Sequence, residues 1–159
     1  NAASATNGDW GGTGTTSDQV LEDVNNALLA VGSSTLYTSI ADTLLLSFGK
    51  MNFLATTRLG DTERTLLSFL RENNTYTAMT GRPLTIRGVR GLETAGVGAT
   101  ERMIAYRRDP SVLKLHVPMV HRFLPVHQAG PLRWEVPGVF RLGGLDIRRP
   151  LEVKYRDGV

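Results

Sequence analysis

The chain closes on RLGGLDIRRPLEVKYRDGV, Arg141–Val159: two short alternating runs joined through Gly143-Gly144 and broken once by Pro150. Alternation of apolar and polar residues at a period of two marks strands. The two glycines permit a bend or bulge between sheet segments, and a proline is tolerated at a strand start or edge. The stretch holds Asp146, Glu152, Asp157 and the pair Arg148-Arg149, but no histidine, serine or cysteine. Such a stretch builds a sheet; it does not supply a nucleophile and its base. Arg148 and Arg149 read as solvated surface charges or as charges at the rim of an interface.

Working back toward the N-terminus, the same texture runs from Leu84. LTIRGVRGLE, RMIAYRRD, VLKLHVPM, LRWEVPGVFRLGG, LDIRRP and LEVKYRD all show alternation or β-branched and aromatic content. Turn signals such as Asp109-Pro110 and Gly130-Pro131 separate them. No long helical pattern intervenes, so the sheet is expected to be antiparallel or mixed. The first half is different. Thr16 and Gln19 form a capping box ahead of Val20, Leu21, Val24, Ala27, Leu28 and Val31, which recur at helical spacing, with Gly32 as the expected stop. DTLLLSF reads as a short strand buried on both faces, followed by a short helix starting near Phe48. Asp61 or Thr62 can cap a third helix carrying Leu66, Leu67, Phe69 and Leu70 and ending at Asn73-Asn74. Helices first and strands later predict an α+β fold. Residues 1–15, rich in Gly, Thr, Ala, Ser and Asn around Trp10, read as a flexible lead-in.

The 159 residues suffice for one domain, or one domain with a subdomain. A net charge of +3 permits a nucleic-acid neighbour without implying one, because the basic residues are dispersed and the closest pairs are Arg107-Arg108 and Arg148-Arg149. With no cysteine there is no disulfide, thiolate zinc site or thiol catalysis, which fits a cytosolic birthplace. No apolar run is long enough to span a bilayer as a helix, and no signal-peptide pattern appears.

Enzymatic chemistry finds little footing. His116, His121 and His127 fall close together, but Pro118 and Pro125 break the spacing and neither helix nor strand geometry aligns them; polar strand and loop histidines fit better than a metal site. The glycine-rich stretch 91–100 has no lysine for a phosphate loop, and Gly96-Val97-Gly98 leads toward a strand, so a turn is the better reading. Asp18, Glu22 and Asp23 sit near one helix start and Asp61 and Glu63 near another, where negative charge favours the helix dipole. There is no G-x-S-x-G elbow, and Trp10, Trp134 and the tyrosines are scattered singly. No catalytic, cofactor-binding or metal-binding residue is assigned.

The order of the parts carries more. Trp10 and the loop to Thr16, SDQVLEDVNNALLAV, ADTLLLSFGKMNFLATTRLG, TERTLLSFLRENN, RMIAYRRDPSVLKLHVPM and PLRWEVPGVFRLGGLDIRRPLEVKYRDGV follow one another in a way that resembles the C-terminal part of tailed-phage and prophage major capsid proteins of the Hong Kong 97-like fold. The most specific piece is the terminal pattern GG-x-x-x-x-x-P-x-x-x-x-Y-x-D-G. The resemblance implies a peripheral-type domain of helices on a sheet at 16–79 and 146–159, and a strand-and-loop axial-type domain at 80–145. It implies a non-enzymatic virion protein without cofactors, made in the bacterial host cytoplasm. Its partners would be itself, as hexamers and pentamers, other head proteins such as scaffold or portal, and packaged DNA in a sequence-independent manner, with no membrane. Family members carry an N-terminal arm and an extended hairpin upstream of the matching region. This chain begins at Asn1 and has neither, so a truncated or processed core is expected, assembling poorly or only into small oligomers. An encapsulin-like compartment shell is the alternative within the same fold. A small metal- or nucleotide-dependent enzyme using His116, His121, His127 or the 91–100 glycines is the rival from another class.

Overall fold

The computed structural model describes residues 3–5, 8–12, 14–60 and 62–159. In chain order the first elements are β1 (Ala3–Ser4), α1 (Ser17–Ser34), β2 (Thr43–Leu46), α2 (Phe48–Thr56), α3 (Leu66–Glu72), α4 (Thr75–Thr80), β3 (Thr85–Gly88) and β4 (Arg102–Tyr106). Then come β5 (Leu113–His116), β6 (Met119–Phe123), β7 (His127–Gly130), β8 (Arg133–Glu135), β9 (Gly138–Arg141), β10 (Gly144–Ile147) and β11 (Val153–Asp157). The chain divides into two compact units: residues 1–109 with 149–159, and residues 110–148.

The first unit is α+β around one mixed sheet ordered β1-β11-β4-β2-β3. β2 runs parallel to β3 and antiparallel to β4, β4 is antiparallel to β11, and β1 is parallel to β11. β2 therefore has a neighbour on each side, which suits its apolar run. α1 starts as its sequence dictates: the Thr16 hydroxyl accepts from the Gln19 N–H and the Gln19 side chain accepts from the Thr16 N–H. Its stripe of Val20, Val24, Ala27, Leu28 and Val31 is buried with Leu44, Leu46, Met103 and Ala105 of the sheet, and with Leu54, Leu66 and Leu70 of α2 and α3.

Three local expectations are corrected. Gly32 does not stop α1; the helix continues to Ser34, and Gly32 is buried because the ring of Tyr37 lies where a Cβ would come within 3.1 Å. Asp61 lies outside the described residues, and α3 is capped neither there nor by Thr62 but by Thr65, whose hydroxyl accepts from the Ser68 N–H at 3.3 Å. Between α2 and α3, Leu59 N–H donates to Arg64 O and Leu66 N–H to Thr57 O. As expected, α3 ends at Asn73-Asn74, with Asn73 as its C-cap; Asn74 then caps a further helix, α4, accepting from the Thr77 N–H at 2.8 Å. The lead-in, expected to be a flexible loop, supplies β1 and the 2 % exposed Trp10 among its described residues.

β3 and β4 lie in the same sheet as β2 and β11, with β4 hydrogen-bonded between β2 and β11, so the first unit runs on to Asp109. Tyr106, where the chain leaves the sheet, is in register with Val153, where it returns. Everything in the second unit is thus an insertion between adjacent antiparallel strands.

That second unit is one long antiparallel ribbon of nested pairs: β5 with β10, β6 with β9, and β7 with β8 around the turn at Gly130-Pro131. Register shifts between Met119 and Arg122 and between Gln128 and Gly130 interrupt it. Pro118, Pro125 and Pro137 fall between the paired segments, where no ladder N–H is required.

Candidate functional site

A two-stranded ribbon has no third layer of its own, so it cannot bury a face, and such a hairpin is marginal in water unless something covers it. Residues 110–148 nevertheless carry most of the exposed apolar side chains among the described residues. Fourteen of the twenty exposed large apolar side chains among the described residues lie between Leu115 and Ile147, including Leu132 at 96 %, Val120 at 75 % and Phe123 at 69 %. Where the register is regular the faces segregate. Leu113 opposes Ile147 and Leu115 opposes Leu145 on one face, while Lys114 opposes Asp146 on the other. Arg148 joins that charged face, its Nε 3.1 Å from Asp146 Oδ2. At the far end His127 opposes Glu135, which also pairs with Arg133 at 2.7 Å, and Gln128 opposes Trp134 on the opposite face. Single exposed apolar residues are ordinary, but so many gathered on one segment mark a contact surface.

All three histidines sit on this ribbon, in successive segments, and the structure does not gather them. His116 Nε2 is 3.6 Å from Asp146, His127 Nε2 is 3.7 Å from Glu135, and the His121 ring meets Phe123 edge-on at 4.8 Å. Among the described residues no group of three His, Asp or Glu side chains is placed to hold a metal ion. The Arg148 guanidinium beside Asp146 holds its carboxyl below the usual carboxylate range against an opposing effect of burial, and His116 adds a lesser lowering.

The glycine-rich stretch is a turn whose amides are already engaged inside the protein. Gly91 N–H donates to Glu93 Oε2 at 2.7 Å, Gly96 N–H to Thr100 O at 2.8 Å, and Val97 N–H to Asp157 Oδ2 at 3.1 Å. The anion this loop holds is Asp157. The same carboxylate takes two parallel hydrogen bonds from Arg102, Nε to Oδ1 at 2.6 Å and Nη2 to Oδ2 at 2.9 Å. The Arg102 guanidinium in turn lies over the Tyr155 ring, 5.1 Å from its centroid.

Most of the terminal pattern has a structural role. Gly144 has φ +93° and Gly158 φ +76°, Pro150 opens a short 3-10 turn (Pro150–Glu152), and Tyr155 and Asp157 hold Arg102. Glu152, 4 % exposed, accepts from Arg107 Nε at 2.5 Å and Arg149 Nη1 at 3.2 Å. Burial pushes its carboxyl up, but the two arginines outweigh this and leave it below the usual range. Both adjacent arginine pairs of the sequence are thus partly consumed in structural ion pairs. Asp18 stands in the first turn of α1, whereas Asp23 is buried and accepts from the Trp10 indole N–H at 3.1 Å.

Sequence reasoning missed Lys50. It is 8 % exposed, donates to the carbonyl of Trp10 at 2.7 Å, pairs with Glu101 at 3.0 Å and also binds Asp9. Ser47, the cap of α2, donates to Glu101 at 2.7 Å, so one lysine ties the lead-in, α2 and the approach to β4 together.

Comparison with known proteins gives two findings. A family model described as "Major capsid protein" matches residues 1–159. A solved chain from "The capsid of Myoviridae Phage XM1" superposes with a TM-score of 0.80 at 18 % sequence identity, over 99 % of this chain and 51 % of that one. The chain therefore spans about half the length of that structural relative. No curated protein matches it. Among the described residues no helix is long and apolar enough to cross a membrane.

Proposed function

The chain belongs to the major capsid protein family, and from that premise we propose how it works as a shell subunit: a Hong Kong 97-like body whose apolar ribbon is covered by neighbouring copies. A structural capsid role follows from the family and the fold. What the proposal adds is the contact. The observation that carries it is the concentration of exposed apolar side chains on residues 110–148, in a chain whose other core residues are well buried. Head-to-tail contacts between identical subunits close into rings. Each subunit then engages several neighbours at once, so individually modest contacts sum to a stable shell. A ribbon face covered by the next subunit gains the third layer that it lacks alone. The proposal includes the division into peripheral and axial parts, hexamers and pentamers, scaffold or portal as further head partners, residence in the virion after synthesis in the host cytoplasm, and a DNA-facing inner surface.

The test is the mass and shape of the protein in solution, by light scattering and negative-stain imaging, beside a Leu115→Lys/Leu145→Lys variant. Both side chains are more than half exposed and neither belongs to the core of the sheet unit, so the fold is expected to survive. Rings of five or six subunits, or shells, that are lost in the variant are the expected result. Assembly unchanged by two lysines on the apolar face, or a protein that stays monomeric under every assembly condition, would overturn the proposal.

A further inference from the structure

We propose that the cleft at one end of the five-stranded sheet is a docking site for a peptide segment of a partner protein, acidic and carrying apolar side chains. The sheet register sets its position. Thr43 stands beside Thr85 on one side and Tyr106 on the other, so the segments entering β2 and β3 and the segment leaving β4 converge at the same end. There an open cleft of about 480 Å³ is lined by Tyr37, Tyr76, Arg82, Arg107, Arg108 and Asp109 among others. Its lining residues all belong to the sheet unit, so the inference does not rest on the ribbon contact proposed above.

The first observation is a pair of unengaged arginines. The carboxylates of the cleft are Asp42 and Asp109. Asp42 already accepts from the Thr43 hydroxyl and the Arg108 N–H, both at 2.8 Å. Arg107 is bound to Glu152 at 2.5 Å and lies 3.8 Å from Asp109. The side chains of Arg82 and Arg108 are exposed and make no hydrogen bond or ion pair among the described residues; only their N–H groups donate, to Thr80 Oγ1 and Asp42 Oδ1. A guanidinium binds a carboxylate through two parallel hydrogen bonds, as Arg102 binds Asp157 within this chain. Arg82 and Arg108 offer the same fork to a carboxylate from outside.

The second observation is apolar. Outside the ribbon, the large apolar side chains left exposed among the described residues are Leu36, Tyr37, Phe48, Met79, Val97 and Leu151. Leu36, Tyr37 and Met79 belong to the two segments that wall this cleft, and Leu36 is 87 % exposed. Leu36 and Tyr37 are also consecutive non-glycine residues at φ 52° and 59°, a left-handed conformation that is unfavourable for any residue with a Cβ. The turn is held in place on several sides. Tyr37 N–H donates to Gly32 O at 2.7 Å, the Thr35 hydroxyl donates to Ser39 O at 2.9 Å, and the Tyr37 ring lies against Gly32. Backbone strain kept at a surface site is a pointer to function; here it fixes an aromatic ring at the cleft wall.

The composition favours a peptide. Tyrosine, methionine and arginine are enriched at protein contacts and lysine is depleted; every cation among the lining residues is an arginine. A nucleic-acid backbone carries a charge on every unit, so it would meet Asp42 and Asp109 in the same walls. A peptide sets its carboxylates only opposite the arginines and its apolar side chains against Leu36, Tyr37 and Met79. A second copy of this chain is a poorer match. Its closest acidic groups, Asp18, Glu22 and Asp23, lie on α1 with Asp23 buried, and Asp61 and Glu63 are flanked by Arg58 and Arg64.

The experiment is fluorescence anisotropy of a labelled peptide of aspartate, glutamate and leucine against the protein, beside a polyglutamate of equal charge. Wild type is compared with Arg82→Ala/Arg108→Ala, with Leu36→Asn/Met79→Gln, and with a control pair of exposed arginines outside the cleft, Arg71→Ala/Arg87→Ala. Asparagine tolerates the left-handed conformation of position 36, so that pair removes apolar surface without disturbing the turn. Losing two charge-assisted contacts is expected to weaken peptide binding about tenfold or more. The Leu36/Met79 pair is expected to weaken it severalfold, and the control pair to bind as wild type does. Polyglutamate binding as tightly as the peptide would overturn the proposal, as would equal losses in the cleft and control pairs. No binding by the wild type at about 100 μM protein would overturn it as well. A DNA duplex that binds more tightly than the peptide and is lost in the cleft pair would assign the cleft to nucleic acid instead. A cleft pair that lowers the mass of the protein's own assemblies without peptide would assign it to a second copy. Peptide binding without rings leaves this inference standing and removes the ribbon contact; rings without peptide binding do the reverse.

Discussion

Replacing Asp157 with asparagine tests whether the C-terminal pattern is structural. In the native protein its carboxylate, on a residue 7 % exposed, accepts from Arg102 at 2.6 and 2.9 Å and from the Val97 N–H at 3.1 Å. Asparagine keeps one acceptor oxygen and turns the other position into a donor, which then faces either Arg102 or Val97. Hydrogen bonds to charged groups contribute about 1.5–3 kcal/mol each, and an orphaned buried donor costs about 1–3 kcal/mol. Breaking a fully buried pair costs about 3–5 kcal/mol. The Arg102 side chain, 23 % exposed, can partly rehydrate, so we expect a loss of about 2–3 kcal/mol. With a urea slope of about 2 kcal/mol/M, the unfolding midpoint should fall by about 1–1.5 M. The pH dependence has a definite sign. The Arg102 hydrogen bonds hold the Asp157 carboxyl below the usual carboxylate range, with help from the Val97 N–H and against burial. A carboxyl depressed in the folded state stabilises fully above its unfolded pKa of about 3.9, and loses that contribution as pH falls through the folded value. The gap between native protein and variant should therefore be widest near neutrality and shrink as pH falls below the unfolded pKa of about 3.9. A midpoint shift under about 0.3 M at neutral pH, or a gap that widens in acid, would refute the reasoning.

Three further outcomes are expected. Trp10→Ala removes a core side chain and its bond to Asp23. It should cost about 3–5 kcal/mol in thermal or urea unfolding, and Trp10→Phe should abolish the blue-shifted part of the emission, leaving that of Trp134, 63 % exposed. Replacing residues 110–148 with a two-residue Asn-Gly turn should leave the helical circular dichroism and the urea midpoint of the sheet unit within about 1 kcal/mol of native, because its main cluster takes no residue from that segment; an unfolded product would show that the insertion is integral. Gly96→Ala places a Cβ 2.4 Å from Thr100 Oγ1 and 2.7 Å from Thr100 O, so it should destabilise by about 1–3 kcal/mol, and Thr100→Ala should not rescue it because the carbonyl remains.

What could be read from the sequence was what is local and periodic. α1 announces itself through its stripe and its capping box, and β2, β4 and β11 through short apolar or alternating runs. β1 is two residues long and exists through pairing with β11, more than a hundred positions away, so it leaves no periodicity. α4 is hidden by its threonines; it is held by Asn74 and by Asn25, whose side chain accepts from both the N–H and the hydroxyl of Thr75. β6 and β7 escaped because both faces of the ribbon are exposed, and alternation carries no burial signal where nothing is buried. The ion pairs joining Arg102 to Asp157 and Arg107 to Glu152 span 55 and 45 positions, and they become visible only once the register sets Arg102 opposite Asp157. Lys50 looks like any helix-surface lysine until the lead-in folds over it.

The ribbon is inserted between two sheet strands whose facing positions, Tyr106 and Val153, are in register, and this makes it adjustable in a restricted way. Adding one residue to each arm would preserve the pairing but turn every side chain beyond the insertion to the opposite face; adding two to each arm would preserve both, and lengthen the ribbon by about 7 Å. Across a lineage, the span between residues 110 and 148 should therefore vary in such doubled steps, or by single residues taken up in bulges like those at Met119/Arg122 and Gln128/Gly130. The sheet unit would be untouched by either. A shell lineage built on this subunit would have a ruler for the distance between neighbours, graduated by the pleat of a β-strand.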